Sequence, residues 1–311
     1  MEMKSQRKSL SFILKRYGQL YLFLLTPVAY IIIFKYVPML GVQLAFKNFK
    51  YNLGIWGSPW VGFKNFNRFF SSYMFSRVLT NTVRIAVVSL LFQIPFPIIF
   101  ALLLNSVNAG QYKKVVQTVT YVPHFISTVV VVGILMQIFN PNVGIYGVMY
   151  KALTGVKPPD PLANPNTFLP LYVGSNVWKT FGWNSIVYLA ALTNVSPELY
   201  EAAEIDGATR LQRVFYVEIP AIVPIFVINL ILSCGKIMNV GFQQVYLMQN
   251  DLNLRVSEVI STYVYKQGLG NGSKSDYAYS TAVDLFNSVI NLALVISVNR
   301  ISKKVSETSL W

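Results

Sequence analysis

At 311 residues, 54% hydrophobic and 12% charged, the chain has a mean hydropathy of +0.47 and far less charge than the roughly 25% of a soluble domain, which excludes a soluble globular fold and points to a polytopic membrane protein. A single cysteine, Cys234, rules out an internal disulfide and a cysteine metal cluster, and a single histidine, His124, rules out a histidine-rich metal site, so no metal site is expected. The net charge of +14 comes from basic residues scattered among apolar runs, a distribution that argues against nucleic acid and for anionic lipid or an anionic substrate.

In chain order, residues 1–18 form a basic head with Lys4, Arg7, Lys8, Lys15 and Arg16. A first span over 19–37 follows, broken by Pro27. Its apolar run is too long for a cleaved signal peptide and lacks a small-x-small exit, so it reads as retained. Residues 38–78 are aromatic and carry Lys47, Lys50, Lys64, Arg68 and Arg77 without an acid. Span two is expected over 79–104, kinked by Pro95 and Pro97. A short loop with Lys113 and Lys114 leads to span three over 115–139. The proline-rich stretch 140–167 reads as an irregular loop. Span four is expected over 168–192, a polar element over 193–220, span five over 221–241, a polar loop up to Tyr277, and span six over 278–298. Residues 19–300 thus form one six-span domain, and 301–311 form a tail. Six spans place both termini on one side. The dense basic head puts that side in the cytoplasm, although the overall Lys and Arg balance favours it only narrowly.

The polar element carries most of the local signals. Ser196 sits where a helix N-cap belongs, Pro197 suits the first helical position, and Glu198, Glu201 and Glu204 load the early turns with negative charge. Leu199, Ala202, Ala203 and Asp206 share a face of mostly small side chains, and Gly207 is the natural stop. A second short helix is expected from Ala208 to Ile219 before Pro220 opens the next apolar run. These residues alone allow either an amphipathic connector on the lipid surface or a helix pressed closely into a partner.

Glu201-Ala202-Ala203, Gly207 and the closing Val217-Glu218-Ile219-Pro220 resemble the EAA loop of ABC-importer permeases, with Val217 and Ile219 as conservative departures from its Ile-x-Leu-Pro ending. The resemblance implies an all-α, type I importer fold of six transmembrane helices. It implies that Glu201, Ala202, Ala203, Asp206, Gly207 and Pro220 belong to a cytoplasmic coupling helix that docks on an ATPase subunit. Asn81-Thr82 and Tyr121-x-Pro123 resemble the sugar branch of these permeases. PHFIS (123–127), VGFQQVYLMQN (240–250), STYVYKQGL (261–269), LFNSVINL (285–292) and the terminal SLW are similar to LplB-type permeases for complex oligosaccharides. Asp284 departs from that group, which usually has a small residue there. The partners implied are a second homologous permease, two cytoplasmic ATPase subunits that bind ATP and Mg, and an extracellular lipid-anchored binding protein in a bacterial plasma membrane. No cofactor is expected on this chain.

The chain's own residues agree that it is not a catalyst. The run from Gly268 to Ser275 has Ser273 where a Walker A glycine belongs and no framing strand and helix. An ion-gradient-driven secondary sugar transporter is the alternative, but no repeated halves are evident and Asp284 is the sole acid inside a predicted span. A membrane-embedded enzyme would need a convergent catalytic set that one His and one Cys do not supply.

Charges inside spans are costly and mark functional candidates. Lys35 and Arg84 can snorkel. Lys179 falls near the middle of span four beside Trp178, with Trp183 further along. Lys236 and Asp284 fall at equal depth, counted from the inner ends of spans five and six, and are expected either to pair or to act separately in the pathway. Sugars are held by aromatic faces and by amides and charges on hydroxyls, which nominates Trp178, Lys179, Trp183, Asn229, Asn239, Gln243 and Asn287; the tryptophans equally suit an interfacial belt. His124 is expected to bond a carbonyl freed by Pro123, and Cys234 with Gly235 to pack helices closely. The excess positive charge suggests an acidic, uronate-containing oligosaccharide, or alternatively docking of an acidic binding protein.

Overall fold

Backbone polar groups find no water inside a bilayer, so a spanning segment must satisfy them internally. The computed structural model describes residues 10–107, 110–270, 272 and 275–306, and among these the chain is helical apart from one antiparallel bridge between Lys47 and Trp60. The N-terminal residues Lys4, Arg7 and Lys8, the terminal SLW, and Ser273 and Lys274 lie outside the described residues.

Four helical stretches are long and apolar enough to cross a membrane: Arg16–Phe46, Tyr73–Asn105, Arg210–Cys234 and Tyr277–Lys304. The first begins within helix α1 (Leu10–Ile31), and its side chains, among them Leu22, Phe23 and Leu25, lie open on the outside of the bundle. The second is two helices, α2 (Tyr73–Gln93) and α3 (Pro95–Asn105), joined at Ile94, so the break falls where Pro95 removes a backbone donor.

Span three departs from expectation. It is a pair, α4 (Gly110–Tyr121) and α5 (Thr128–Ile138), bent by 99°. Pro123 sits in a 3-10 turn, Val122–Phe125, and the Ser127 side chain then accepts from the Val130 amide to start a new helix. Hydropathy alone reads straight through such a corner.

Predicted span four lies in α6 (Pro165–Thr193), whose 29 residues exceed the length a bilayer needs although many are polar. Its polarity follows from its place: α6 is the central helix, packed against α2, α3, α4 and the helix after the coupling loop. Phe168, Tyr172, Tyr188 and Leu192 are buried along it. Gly182 makes one of these contacts possible, because a Cβ there would collide with the backbone of Thr120 on α4.

The predicted coupling loop contains a helix where one was expected, α7 (Pro197–Ile205). The second short helix is not separate: it begins at Arg210 and runs without a stop into predicted span five as α8 (Arg210–Cys234). A π-helical turn at Val214–Glu218 precedes Pro220, and another at Ile32–Tyr36 precedes Pro38. The wider turn makes room for a proline ring that would strike the carbonyl four residues back. Span five ends earlier than expected, at Cys234, and the predicted polar loop holds three short helices, Phe242–Met248, Leu254–Ser257 and Ile260–Tyr265. The last helix is α9 (Tyr277–Ser306).

Candidate coupling element and translocation cavity

The coupling element is a corner built from two complementary caps. Ser196 accepts from the Glu198 amide at 3.3 Å and starts α7. At its end Gly207 adopts φ +72°, the Gly207 amide bonds the Glu204 carbonyl at 3.1 Å, and the Ala208 amide bonds the Ala203 carbonyl at 2.9 Å. This is a Schellman closure, which requires a residue that tolerates the left-handed region. Thr209 then opens α8 with a capping box, its hydroxyl accepting from the Gln212 amide while its own amide donates to Gln212 Oε1. Only Ala208 separates the glycine from the new cap.

Glu201, Ala202 and Asp206 are exposed and Ala203 is half-buried. Leu199, Ile205, Leu211, Phe215 and Tyr216 are also open, at 54%, 86%, 71%, 62% and 80% of their surface, so the element presents apolar side chains that none of the described residues covers. Pro220 lies inside α8 rather than at the start of a separate helix.

A polar cluster that sequence reasoning missed fastens this corner to the bundle. Asn105, the last residue of α3, donates to Glu218 Oε1 at 2.9 Å and lies 3.3 Å from the Tyr200 hydroxyl. Tyr200, on α7, donates to the same carboxylate oxygen at 3.5 Å. Burial pushes the Tyr200 phenol above its ordinary pKa; the Asn105 hydrogen bond opposes that rise and the Glu218 charge reinforces it. Glu218 itself is buried and its Oε2 has no partner. A lone acid two residues before Pro220 in an apolar run was the available signal.

The second feature is a cavity of about 430 Å³ between α2, α3, α6 and the end of α8. Trp183, Asn229, Lys236 and Asn239 line it, as does the buried Tyr188. Among the described residues Lys236 is the only charged one in that lining, and no carboxylate faces it there. Asn287 is buried behind the wall and donates to Asn239 Oδ1 at 2.8 Å, so it positions Asn239 rather than lining the cavity. Asn291 donates to the same oxygen at 3.3 Å.

Other predicted members fall elsewhere. Trp178 lines a separate apolar groove with Phe92, Phe96, Val177 and Phe181, because five residues along a helix turn it well away from Trp183. Lys179 donates to Thr128 Oγ1 at 3.1 Å and is outside the cavity lining. Gln243 is exposed, whereas its neighbour Gln244 is buried and bonds Ser175 Oγ at 2.8 Å.

No ion pair joins Lys236 to Asp284 among the described residues. Gly235 packs on Val295, and the Met238 amide bonds Asn291, so Lys236 lies about two to three turns along α9 from Asp284. The depth count fails because α8 ends at Cys234, and residue number no longer measures height beyond that point.

His124 does not bond a freed carbonyl. Its ring stacks on Trp183 at 4.6 Å and 4°, Phe125 meets the same indole edge-on at 5.2 Å, and His124 Nδ1 has no partner. The basic stretch 38–78 is also less available than its composition suggested. Lys47 is buried, donates to the Ile55 carbonyl at 2.7 Å and lies 4.9 Å over the Trp60 ring. Arg68 pairs with Asp276 at 2.6 Å, and Arg77 faces Glu258 at 3.8 Å.

The geometry agrees with what the chain resembles among known proteins. Residues 93–307 match the family described as binding-protein-dependent transport system inner membrane component. Protein LplB of Bacillus subtilis (strain 168) is 44% identical over 96% of this chain and 92% of its own. The polygalacturonan/rhamnogalacturonan transport system permease protein YteP of the same organism is 41% identical over 99% and 95%. A bacterial alginate ABC transporter, solved in complex with an alginate pentasaccharide-bound periplasmic protein, contains a chain that superposes with a TM-score of 0.87 at 38% identity, covering 97% of this chain and 99% of that one. These likenesses show the type I importer fold and set aside both the ion-gradient transporter and the membrane enzyme. The chain belongs to the inner-membrane components of binding-protein-dependent transport systems: it is a permease subunit of an ABC importer of the sugar-transporting branch.

Proposed function

We propose that this chain is one of two related transmembrane subunits of an importer for acidic oligosaccharides, placed in a bacterial plasma membrane with both termini in the cytoplasm. An extracellular lipid-anchored binding protein delivers the sugar. Two cytoplasmic ATPase subunits bind ATP and Mg, and α7 transmits their closure to the spans through Glu201–Gly207. Six crossings, counting the bent α4–α5 pair as one and α6 as another, accommodate this orientation.

The observation that carries the acidic substrate is Lys236, a single cation with no opposing carboxylate in a cavity walled by aromatic rings and amides. A carboxylate sugar held about 4 Å from that ammonium gains roughly 4 kcal/mol of attraction at an effective dielectric of 20, before desolvation is subtracted. Trp183 offers an apolar ring face, and Asn229 and Asn239 offer planar amides to hydroxyls. Further support comes from the uronate-containing polymers in the names of YteP and the alginate importer.

Two measurements test the proposal. Purification of the tagged chain in mild detergent is expected to bring down a second permease and an ATPase; recovery of the chain alone would overturn the assembly. In vesicles carrying the complex, Lys236→Gln is expected to raise the half-saturating concentration of a uronate oligosaccharide about tenfold, the loss of one charge-assisted contact. Uptake of a neutral oligosaccharide by the same variant should change little. An equal loss for both sugars would remove the charge argument.

A further inference from the structure

Glu218 is a buried acid that the substrate route does not use. One carboxylate oxygen takes hydrogen bonds from two different elements, Asn105 at the end of α3 and Tyr200 in the middle of α7. The carboxylate itself belongs to the π turn of α8. A single oxygen therefore ties together the coupling helix, the end of the second span and the base of the fifth. The other oxygen, Oε2, is buried and unpartnered. A carboxylate normally has partners for both oxygens when it is buried, so this cluster is one bond short of complete.

The surroundings fit a joint rather than a fixed rivet. The π turn carrying Glu218 leaves the regular helix ladder of α8 locally loosened, just ahead of Pro220. The neighbouring link across the Gly207 corner, Arg213 to Glu204, is long at 3.9 Å, with the Glu204 side chain 80% exposed. Apart from the continuous chain, the Glu218 cluster is the buried polar tie between α7 and the bundle among the described residues.

We infer that Glu218, with Tyr200 and Asn105, is the positioning joint that carries movement of the coupling helix into the second and fifth spans. Glu218 is not among the residues that line the cavity. When α7 is displaced, Tyr200 pulls on a carboxylate whose free oxygen can accept a new donor as the old one leaves. This inference rests on the proposed docking of an ATPase at α7.

The test measures ATP hydrolysis and sugar uptake together in proteoliposomes holding the whole complex, for wild type, Glu218→Gln, Tyr200→Phe and the double variant. Either single variant is expected to keep the ATPase bound and hydrolysing while sugar uptake per ATP falls about fivefold or more. The double variant should be no worse than the poorer single one, as for groups acting through one contact. Asn105→Asp, which sets a second carboxylate against Glu218, should uncouple at least as strongly. A parallel fall in hydrolysis and uptake at constant assembly would overturn the joint, and so would singles whose losses multiply. Loss of the ATPase from the singles would place these residues in docking instead and also defeat the inference. Absence of an ATPase from the wild-type complex would defeat the underlying docking proposal, a result distinguishable from the others.

Discussion

The segment from Phe242 to Lys266 and the coupling element at Pro197–Glu218 both link long apolar helices, yet they are built on opposite principles. In the first, most buried polar groups are answered, although Gln249 Oε1 and Ser261 Oγ have no partner among the described residues. Glu258 accepts from Lys266 at 3.2 Å and faces Arg77, while Asn81 of α2 donates to its backbone carbonyl at 3.0 Å. Asn253 donates to the Met248 and Leu162 carbonyls at 2.9 Å each, and Thr82 receives the Ile260 amide at 2.9 Å. In the second, apolar groups are exposed and unanswered, and one small polar cluster ties them back. The first region is tied into the bundle largely by its own hydrogen bonds and ion pairs, and such networks stiffen what they join. The second has the surface that the proposed ATPase would cover, since exposed apolar patches of this kind mark protein or membrane contact sites.

Gly207→Pro should break the contrast most severely. Proline cannot reach φ +72° and would destroy the Schellman corner that aims α7. Pull-down of the tagged chain should then recover no ATPase, with uptake abolished, while the chain remains in the membrane because the buried segment is untouched. Retention of the ATPase would mean that the corner does not set the docking surface.

Glu258→Gln probes the other region. It leaves Arg77 and Lys266 without their anion. Both cations are partly exposed, so the cost should fall between a surface and a buried pair, at about 2 kcal/mol. Thermal unfolding of the purified subunit would register this as a clear drop. Glu204→Gln should be the mildest change, within about 0.5 kcal/mol, because its pair with Arg213 is long and solvent-facing. Equal destabilisation by the last two variants would erase the distinction between a self-sufficient segment and an open one.

What the chain reveals by itself is what depends on near neighbours in sequence. Composition sets the solvent as lipid, and the period and length of apolar runs set the helices. Ser196, Pro197 and Gly207 mark a start and a stop through backbone chemistry that acts within one turn, so α7 lies where those residues place it. The same holds for the break ahead of Pro95. Tertiary structure decided everything that depends on how helices are rotated and how high each one stands. Trp178 and Trp183 are alike in sequence but face an apolar groove and the cavity respectively. Lys236 and Asp284 are level by counting, yet are separated because a helix stops at Cys234. The 99° corner between α4 and α5 brings His124 onto Trp183, and the meeting of three helix ends makes Glu218 a shared acceptor. Caps and breaks are local free-energy choices, whereas depth, facing and shared burial are properties of the packed bundle, set by contacts between residues far apart in the chain.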